Sequence, residues 1–348
     1  MKQVTKMNKA TLFILLATMS ASVQLTPTTA RHALVQNKEG SQAQAPDLAE
    51  TSRLSTSVVK LYNEGKYDEA FPIAKRVVEL REKMLGKDDE LVISAVLNLA
   101  EVQWSRRRYE ESKNLFERAL HSYQRSLGPE NVRLASVLDR LALMYYALGQ
   151  PSETEKSYKQ ALAIREKALG TEHPGTAQSL YNLAEFYQFQ GEYKQAEPLY
   201  KRLIEIRTRN KSDVGSIAEA IDRYACLLRK EKRTQEADQL EGRGLSLLNP
   251  GEDSDQFIMG GVVNGTALNL VTPSYPDEAR ASRESGKVTV RVLINESGNV
   301  IRACATEGPK LLMKSSESAA SRSKFSPTTV DGKPAKVNGM IIYNYIAQ

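Results

Sequence analysis

The side chains able to do chemistry in this 348-residue chain are few and scattered. Its three histidines, His32, His121 and His173, lie far apart, with no metal-ligand spacing between them. Two cysteines, Cys226 and Cys304, are too few for a Cys₄ zinc site or a disulfide scaffold. In an oxidising compartment they could pair with each other; the alternative is that each is a small buried hydrophobe. There is no Gly-x-Ser-x-Gly elbow, no His-Glu-x-x-His and no phosphate loop. Gly260-Gly261 leads towards a strand rather than into a helix. Asp88-Asp89-Glu90 reads as solvated charge between helices, and Asn264-Gly265-Thr266 is a glycosylation triplet of a kind that arises by chance. No nucleophile–base pair and no metal set emerges. The chain is therefore expected to be no enzyme, to use no cofactor or metal, and to work by non-covalent recognition.

The charge balance narrows the partner. Lys and Arg number 48 against 42 Asp and Glu, a net +6 with no basic stripe, which argues against nucleic acid. At about 150 residues per domain, the length predicts two or three domains. The N-terminus reads as an export signal: Lys2, Lys6 and Lys9 precede an uncharged run, Ala10 to Ala30, with an apolar heart at Leu12–Ala17 and small residues beyond it. Thr18, Ser20, Gln24 and Pro27 dilute that run, so residues 1–30 read as a cleaved signal peptide, with an uncleaved anchor as the alternative. Residues 31–48 read as a linker.

The elements that position any binding residues repeat with a period of 42. Gly65, Arg107, Gly149 and Gly191 share one register; Gly86, Gly128 and Gly170 a second; Ala100, Ala142 and Ala184 a third; Phe116, Tyr158 and Tyr200 a fourth. Such periods signal a solenoid of stacked units. A worn fifth copy follows at a step of 41, placing Ala225 under Ala184. Each unit reads as two helices: Leu180, Leu183, Ala184 and Tyr187 on the first, then Tyr193, Ala196, Leu199, Tyr200 and Leu203 on the second. One hairpin cannot bury its apolar face alone, so neighbours must stack.

Ala168-Leu169-Gly170-Thr171-Glu172-His173-Pro174, Leu180-Tyr181-Asn182-Leu183-Ala184 and Gly191-Glu192-Tyr193-Lys194-Gln195-Ala196 together resemble the tetratricopeptide repeat in its kinesin-light-chain-like form, over residues 49–248. The resemblance implies an all-α superhelix of about five repeats. It implies a groove lined by the first helix of each unit, taking a protein or peptide. By register, the groove positions are Asn98, Arg140, Asn182 and Arg223, with Trp104, Tyr146, Gln188 and Arg229 one turn on. Asn can pair with peptide N–H and C=O together, and Arg can grip a carboxylate. The other reading is that these are solvated helix faces.

After Leu248 the composition shifts. Residues 249–257 form a turn-rich linker. Val288, Val290, Val292 and Ile294 then alternate with Lys287, Thr289, Arg291 and Leu293 as a half-buried strand. A turn at Glu296–Asn299, a returning strand, a helix over 311–323 and a last strand over 339–346 predict a small α+β domain over 258–348. Pro273-Ser274-Tyr275-Pro276, Gly286-Lys287-Val288, Lys324-Phe325-Ser326-Pro327 and Tyr343-Asn344-Tyr345 resemble the TonB C-terminal domain. That resemblance implies a periplasmic or cell-envelope location. It also implies capture of an extended segment, from an outer-membrane receptor or an envelope complex, by strand addition at the last strand, with Tyr343 and Tyr345 as contacts. The other reading of both tyrosines is core packing. Energy transducers of that family carry a spanning helix with a histidine, and a Pro-rich arm. Here the apolar segment lacks histidine and a repeat array stands in the arm's place. An exported interaction protein is therefore expected first, and a TonB-type transducer coupling ion flow to transport second.

Overall fold

The computed structural model describes residues 44–248, 258–262, 267–330 and 333–346. The export segment 1–30, the linker 249–257 and the triplet at Asn264 lie outside the described residues.

Ten helices come first: α1 Gln44–Asn63, α2 Tyr67–Leu85, α3 Glu90–Ser105, α4 Tyr109–Leu127, α5 Arg133–Ala147, α6 Pro151–Leu169, α7 Pro174–Gln190, α8 Tyr193–Arg209, α9 Val214–Lys230 and α10 Thr234–Leu248. They make five hairpins, and all five turn in the same way. Gly65, Arg107, Gly149, Gly191 and Lys232 have φ of 74, 62, 71, 76 and 64°. The next residue's N–H then reaches back five positions, as in Lys66 to Leu61 at 2.9 Å and Arg233 to Leu228 at 2.9 Å. This is the helix-ending loop that glycine suits best. Arg107 and Lys232 adopt it with a side chain, at a cost of about 1–2 kcal/mol each. Lys232 lies 41 residues past Gly191, so the worn fifth copy keeps the register.

The registers decide the packing. Ala100, Ala142, Ala184 and Ala225 are wholly buried, as are Phe116, Tyr158 and Tyr200. A small residue opposite an aromatic lets two helices approach and still fills the space. The chain divides into two compact units inside α7, between Ser179 and Leu180. The first has a core running from Val58 through Val92, Ala100 and Phe116 to Met144. The second holds the remaining repeat helices together with the C-terminal domain.

In that domain β1 Ile258–Val262, β2 Ala267–Asn269, α11 Asp277–Ala281, β3 Gly286–Ile294, β4 Val300–Glu307, α12 Lys310–Ser321, β5 Lys324–Phe325, β6 Thr328–Val330, β7 Lys333–Ala335 and β8 Val337–Tyr345 follow in order. Strands β2 with β5, and β6 with β7, form two small antiparallel pairs. The main sheet has the order β1-β8-β3-β4. Strand β3 runs antiparallel to β4 and β8, and β1 runs parallel to β8. Val288, Val290, Val292 and Ile294 pack with Leu312, Ala319 and Ala320 of α12. The β3–β4 turn is tied by the Asn295 carboxamide oxygen, which accepts from the N–H of Ser297 and Asn299 at 3.1 and 2.9 Å. Gly298 is required there: φ is 80°, and a Cβ would lie 1.9 Å from the Phe325 carbonyl.

One expectation is corrected. The last strand is not an edge along its whole length, because β1 pairs with its first half, Val337–Met340. Among the described residues, no helix is long and apolar enough to cross a membrane.

Candidate partner-binding sites

In the first unit, Asn98 and Trp104 of α3 and Arg140 of α5 are half-buried, and Tyr146 is buried. Trp104 packs on Tyr109 with ring centres 5.0 Å apart. The Arg140 guanidinium lies 3.0 Å from a carboxylate oxygen of Glu101, a residue only 7% exposed. Burial raises the Glu101 carboxyl pKa against the pull of Arg140. Burial likewise pushes the Tyr146 phenol up.

The second unit repeats this device. Arg223 of α9 lies 3.3 Å from Glu185 of α7, which is 1% exposed. The Tyr181 hydroxyl sits 3.1 Å from Glu185 and 3.0 Å from Glu219. Burial raises the Glu185 carboxyl pKa, and Arg223 opposes it. In both units an Arg two places before the motif alanine reaches back to a Glu one place after the previous hairpin's alanine. That accounts for the Asn–Arg alternation: Arg140 and Arg223 clamp neighbouring hairpins. Asn182 is buried, and Gln188 accepts from the Tyr200 hydroxyl at 2.6 Å. Arg229 is buried and pairs with Asp238 at 2.5 Å and with Glu241, closing α9 on α10.

A further 42-residue register runs along the second helices. Arg81, Tyr123, Arg165 and Arg207 are spaced by 42. Arg81 donates to the Leu91 carbonyl at 2.9 Å and to Ser55 at 3.0 Å. Arg165 pairs with Asp139 at 2.7 Å, and Arg207 donates to the Ser216 carbonyl. These arginines, on the second helices of the first, third and fourth hairpins, tie those hairpins to the helices around them.

Within the second unit, α9 packs against β4. Cys226 of α9 and Cys304 of β4 form a disulfide, with Cα atoms 5.8 Å apart. The reading of two separate buried hydrophobes is thus corrected: partners 78 residues apart, on a helix and a strand of different domains, leave no spacing signal. Ion pairs flank the bridge: Asp222 with Arg302, Lys230 with Glu317 at 3.1 Å, and Arg291 with Asp238 at 3.9 Å. The Lys314 ammonium sits 4.4 Å from the centre of the Phe189 ring. Burial pushes Asp222 up to about 7 despite Arg302, and pushes Lys314 down to about 8. A cavity of roughly 430 Å³ remains, lined among others by Gln188, Arg223, Cys226, Arg302, Cys304 and Glu317. Gln188 and Arg223 therefore face the C-terminal domain of their own chain. Cys226, Cys304 and Glu317 lie close enough to hold a metal ion, but the bridge ties up both thiolates that such a site needs.

At β8, Tyr343 and Tyr345 point into the core, 6% and 8% exposed. The Tyr345 hydroxyl is 2.9 Å from that of Ser316, and its ring meets Tyr275 edge-on at 5.6 Å. Only their backbone is offered to a partner. Ile342, at 43%, and Ile346, at 79%, face outwards with Asn344. At the opposite edge the Ala305 N–H donates to Glu317 at 2.8 Å, and α9 packs alongside β4.

The sequence matches the tetratricopeptide repeat model over residues 61–125, 92–167, 133–209 and 177–249. It matches the Gram-negative bacterial TonB protein C-terminal model over residues 271–346. No curated protein matches the sequence. Among solved structures, a putative kinesin light chain with nearly identical TPR-like repeats from Podosopora anserina is similar at 22% identity and a TM-score of 0.52, covering 60% of this chain and 99% of that one. BtubC (BKLC) from P. vanneervenii is similar at 17% identity and 0.54, covering 70% and 96%. Aspartyl phosphate phosphatase F from Bacillus subtilis is similar at 16% and 0.53, covering 61% and 54%. At these identities the likeness is one of fold alone.

Proposed function

Because the chain belongs to the tetratricopeptide repeat family and ends in a TonB-type C-terminal domain, we propose that it is an exported interaction protein of the periplasm or cell envelope. Its repeats bind one protein or peptide. Its C-terminal sheet engages a second partner, such as an outer-membrane receptor or envelope complex, by strand addition. The observation that carries this reading is the Cys226–Cys304 bridge, which joins the last repeat hairpin covalently to the sheet and suits an oxidising compartment. The groove site is Asn98, Trp104, Arg140 and Tyr146 on the earlier hairpins; Asn182, Gln188 and Arg223 continue its register on the later ones, where Gln188 and Arg223 face the chain's own C-terminal domain. The clamped arginines present a carbonyl-rich or acidic segment with a partly neutralised cation; Asn98 supplies the amide. Tyr343 and Tyr345 serve the second site through their main chain. The domains run 49–248 and 258–348, with residues 1–30 directing export.

A TonB-type energy transducer is the second reading, favoured by the match over residues 271–346. The mature N-terminus, measured by mass spectrometry with membrane fractionation, separates the two. Cleavage before the linker and release in soluble form support the interaction protein. An intact, membrane-held N-terminus supports the transducer. A chain that stays in the cytoplasm would overturn both.

A further inference from the structure

The two flanks of β8 are unequal. On one side β3 pairs with it through nine consecutive residues, from Gly286↔Tyr345 to Ile294↔Val337, without a register shift. On the other side β1 makes three pairs, Ile258↔Val337, Met259↔Asn338 and Val262↔Met340, with a shift between Met259 and Val262. Gly260 and Gly261 occupy that break. Glycine brings no side chain to pack and weakens a strand interior. Beyond Met340, among the described residues, no strand pairs with the outer side of Ile341–Tyr345.

Exposed strand edges are templates for another chain, and native proteins usually guard them with charge, proline or a covering element. The β4 edge is guarded in that way, by α9, by Glu317 on the Ala305 amide and by the bridge. The β8 edge is not: from Val337 to Ile346 there is no charged residue and no proline. Ile342 and Ile346 stand exposed beside it.

We infer that Ile258–Val262 is a built-in occupant of the acceptor edge, a competitor that an incoming strand must displace. The incoming segment is extended and uncharged where it pairs. It first pairs along Ile341–Tyr345, then replaces β1 progressively towards Val337, in the parallel sense that β1 already uses. This rests on the strand-addition reading above and adds its regulation. While β1 is seated only part of the acceptor is open, and the apparent affinity falls by the fraction of molecules with the whole edge free.

The test uses the full chain and a fluorescent synthetic peptide copying residues 256–264. In the variant Met259→Pro with Val262→Pro, the chain's own β1 loses two backbone donors and is broken as a strand. The peptide is expected to bind this variant saturably, with a Kd at least tenfold tighter than for the wild type. Gly260→Val with Gly261→Val, which strengthens β1, is expected to bind it more weakly than the wild type. Equal Kd values for the wild type and a folded proline variant overturn the proposal, as does absence of binding to that variant. If the proline variant does not fold, hydrogen exchange of the wild type decides. Amides of Ile258–Val262 are expected to exchange at least a hundredfold faster than those of Val288–Val292, and equal protection overturns the proposal. The underlying strand-addition reading fails by a different result: a peptide that binds the folded proline variant equally well before and after Asn344→Pro is not adding to β8.

Discussion

Cys226 on α9 is bonded to Cys304 on β4, so the last repeat hairpin and the C-terminal sheet are one covalent body. The loop so closed spans 78 residues. By the chain-entropy relation, closing a loop of that length limits the unfolded state by about 4–5 kcal/mol. Cys226→Ser with Cys304→Ser is therefore expected to lower the stability of the second unit by several kcal/mol, measured by urea denaturation. The Asp222–Arg302 and Lys230–Glu317 pairs remain in that variant. A double mutant as stable as the oxidised wild type would mean that the bridge constrains nothing.

Arg140 and Glu101 make a partly buried pair between neighbouring hairpins. Removing only the cation strands a carboxylate that is 7% exposed, a class of change that costs about 3–5 kcal/mol. Arg140→Ala is thus expected to destabilise the array as well as weaken any groove ligand. Adding Glu101→Gln should restore most of the stability but not the affinity. Thermal melting of the single and double variants, beside a binding assay, separates the two effects. A single mutant with unchanged melting would assign Arg140 to the groove alone.

The second unit should depend on pH in two opposed windows. Asp222 titrates at about 7 folded against an ordinary 3.8. Across that interval the folded chain holds the extra proton, so stability falls as pH rises from about 4 to 7. Lys314 titrates at about 8 against 10.5. There the unfolded chain holds the extra proton, so stability rises from about pH 8 to 10.5. Glu197, held down to about 2 first by Arg233, gains its stabilisation as pH rises from about 2 towards 4.5, so its contribution is constant only above about pH 5.5. The denaturation midpoint is expected to pass through a minimum at about pH 7–8. Asp222→Asn should remove the acid-side slope and Lys314→Met the alkaline one. A profile that either substitution leaves unchanged would contradict the assignment.

Ala184, wholly buried in the motif register, tests the packing. Leucine there forces side chains off their rotamers, at about 1–3 kcal/mol. Ala184→Leu and Ala142→Leu are each expected to lower the melting temperature by several degrees. Two unchanged melting curves would contradict the assigned helix contacts.

Much of the architecture was legible because it repeats. The glycine and alanine registers, at a step of 42 and then 41, locate the hairpins, and even Arg107 and Lys232 adopt the turn their glycine counterparts announce. The alternation from Val288 to Ile294 locates β3. What stayed hidden is what has no period. Cys226 and Cys304 meet only once the two domains are placed. The parallel pairing of β1 with β8 joins residues as far apart in sequence as Ile258 and Val337, and its Gly260-Gly261 break reads locally as a poor strand. The buried pairing of Arg140 and Arg223 is likewise invisible from their own positions, since each partner sits in the preceding repeat.

The cysteine redox state inside the cell bears on both export and the joined body of repeat and sheet. Cells are quenched with acid and alkylated before lysis, and the proteolysed chain is weighed by mass spectrometry. A linked Cys226–Cys304 peptide pair, with neither cysteine alkylated, is the expected result. Quantitative alkylation of both thiols would contradict the covalent joining of the domains and remove the main support for an oxidising location.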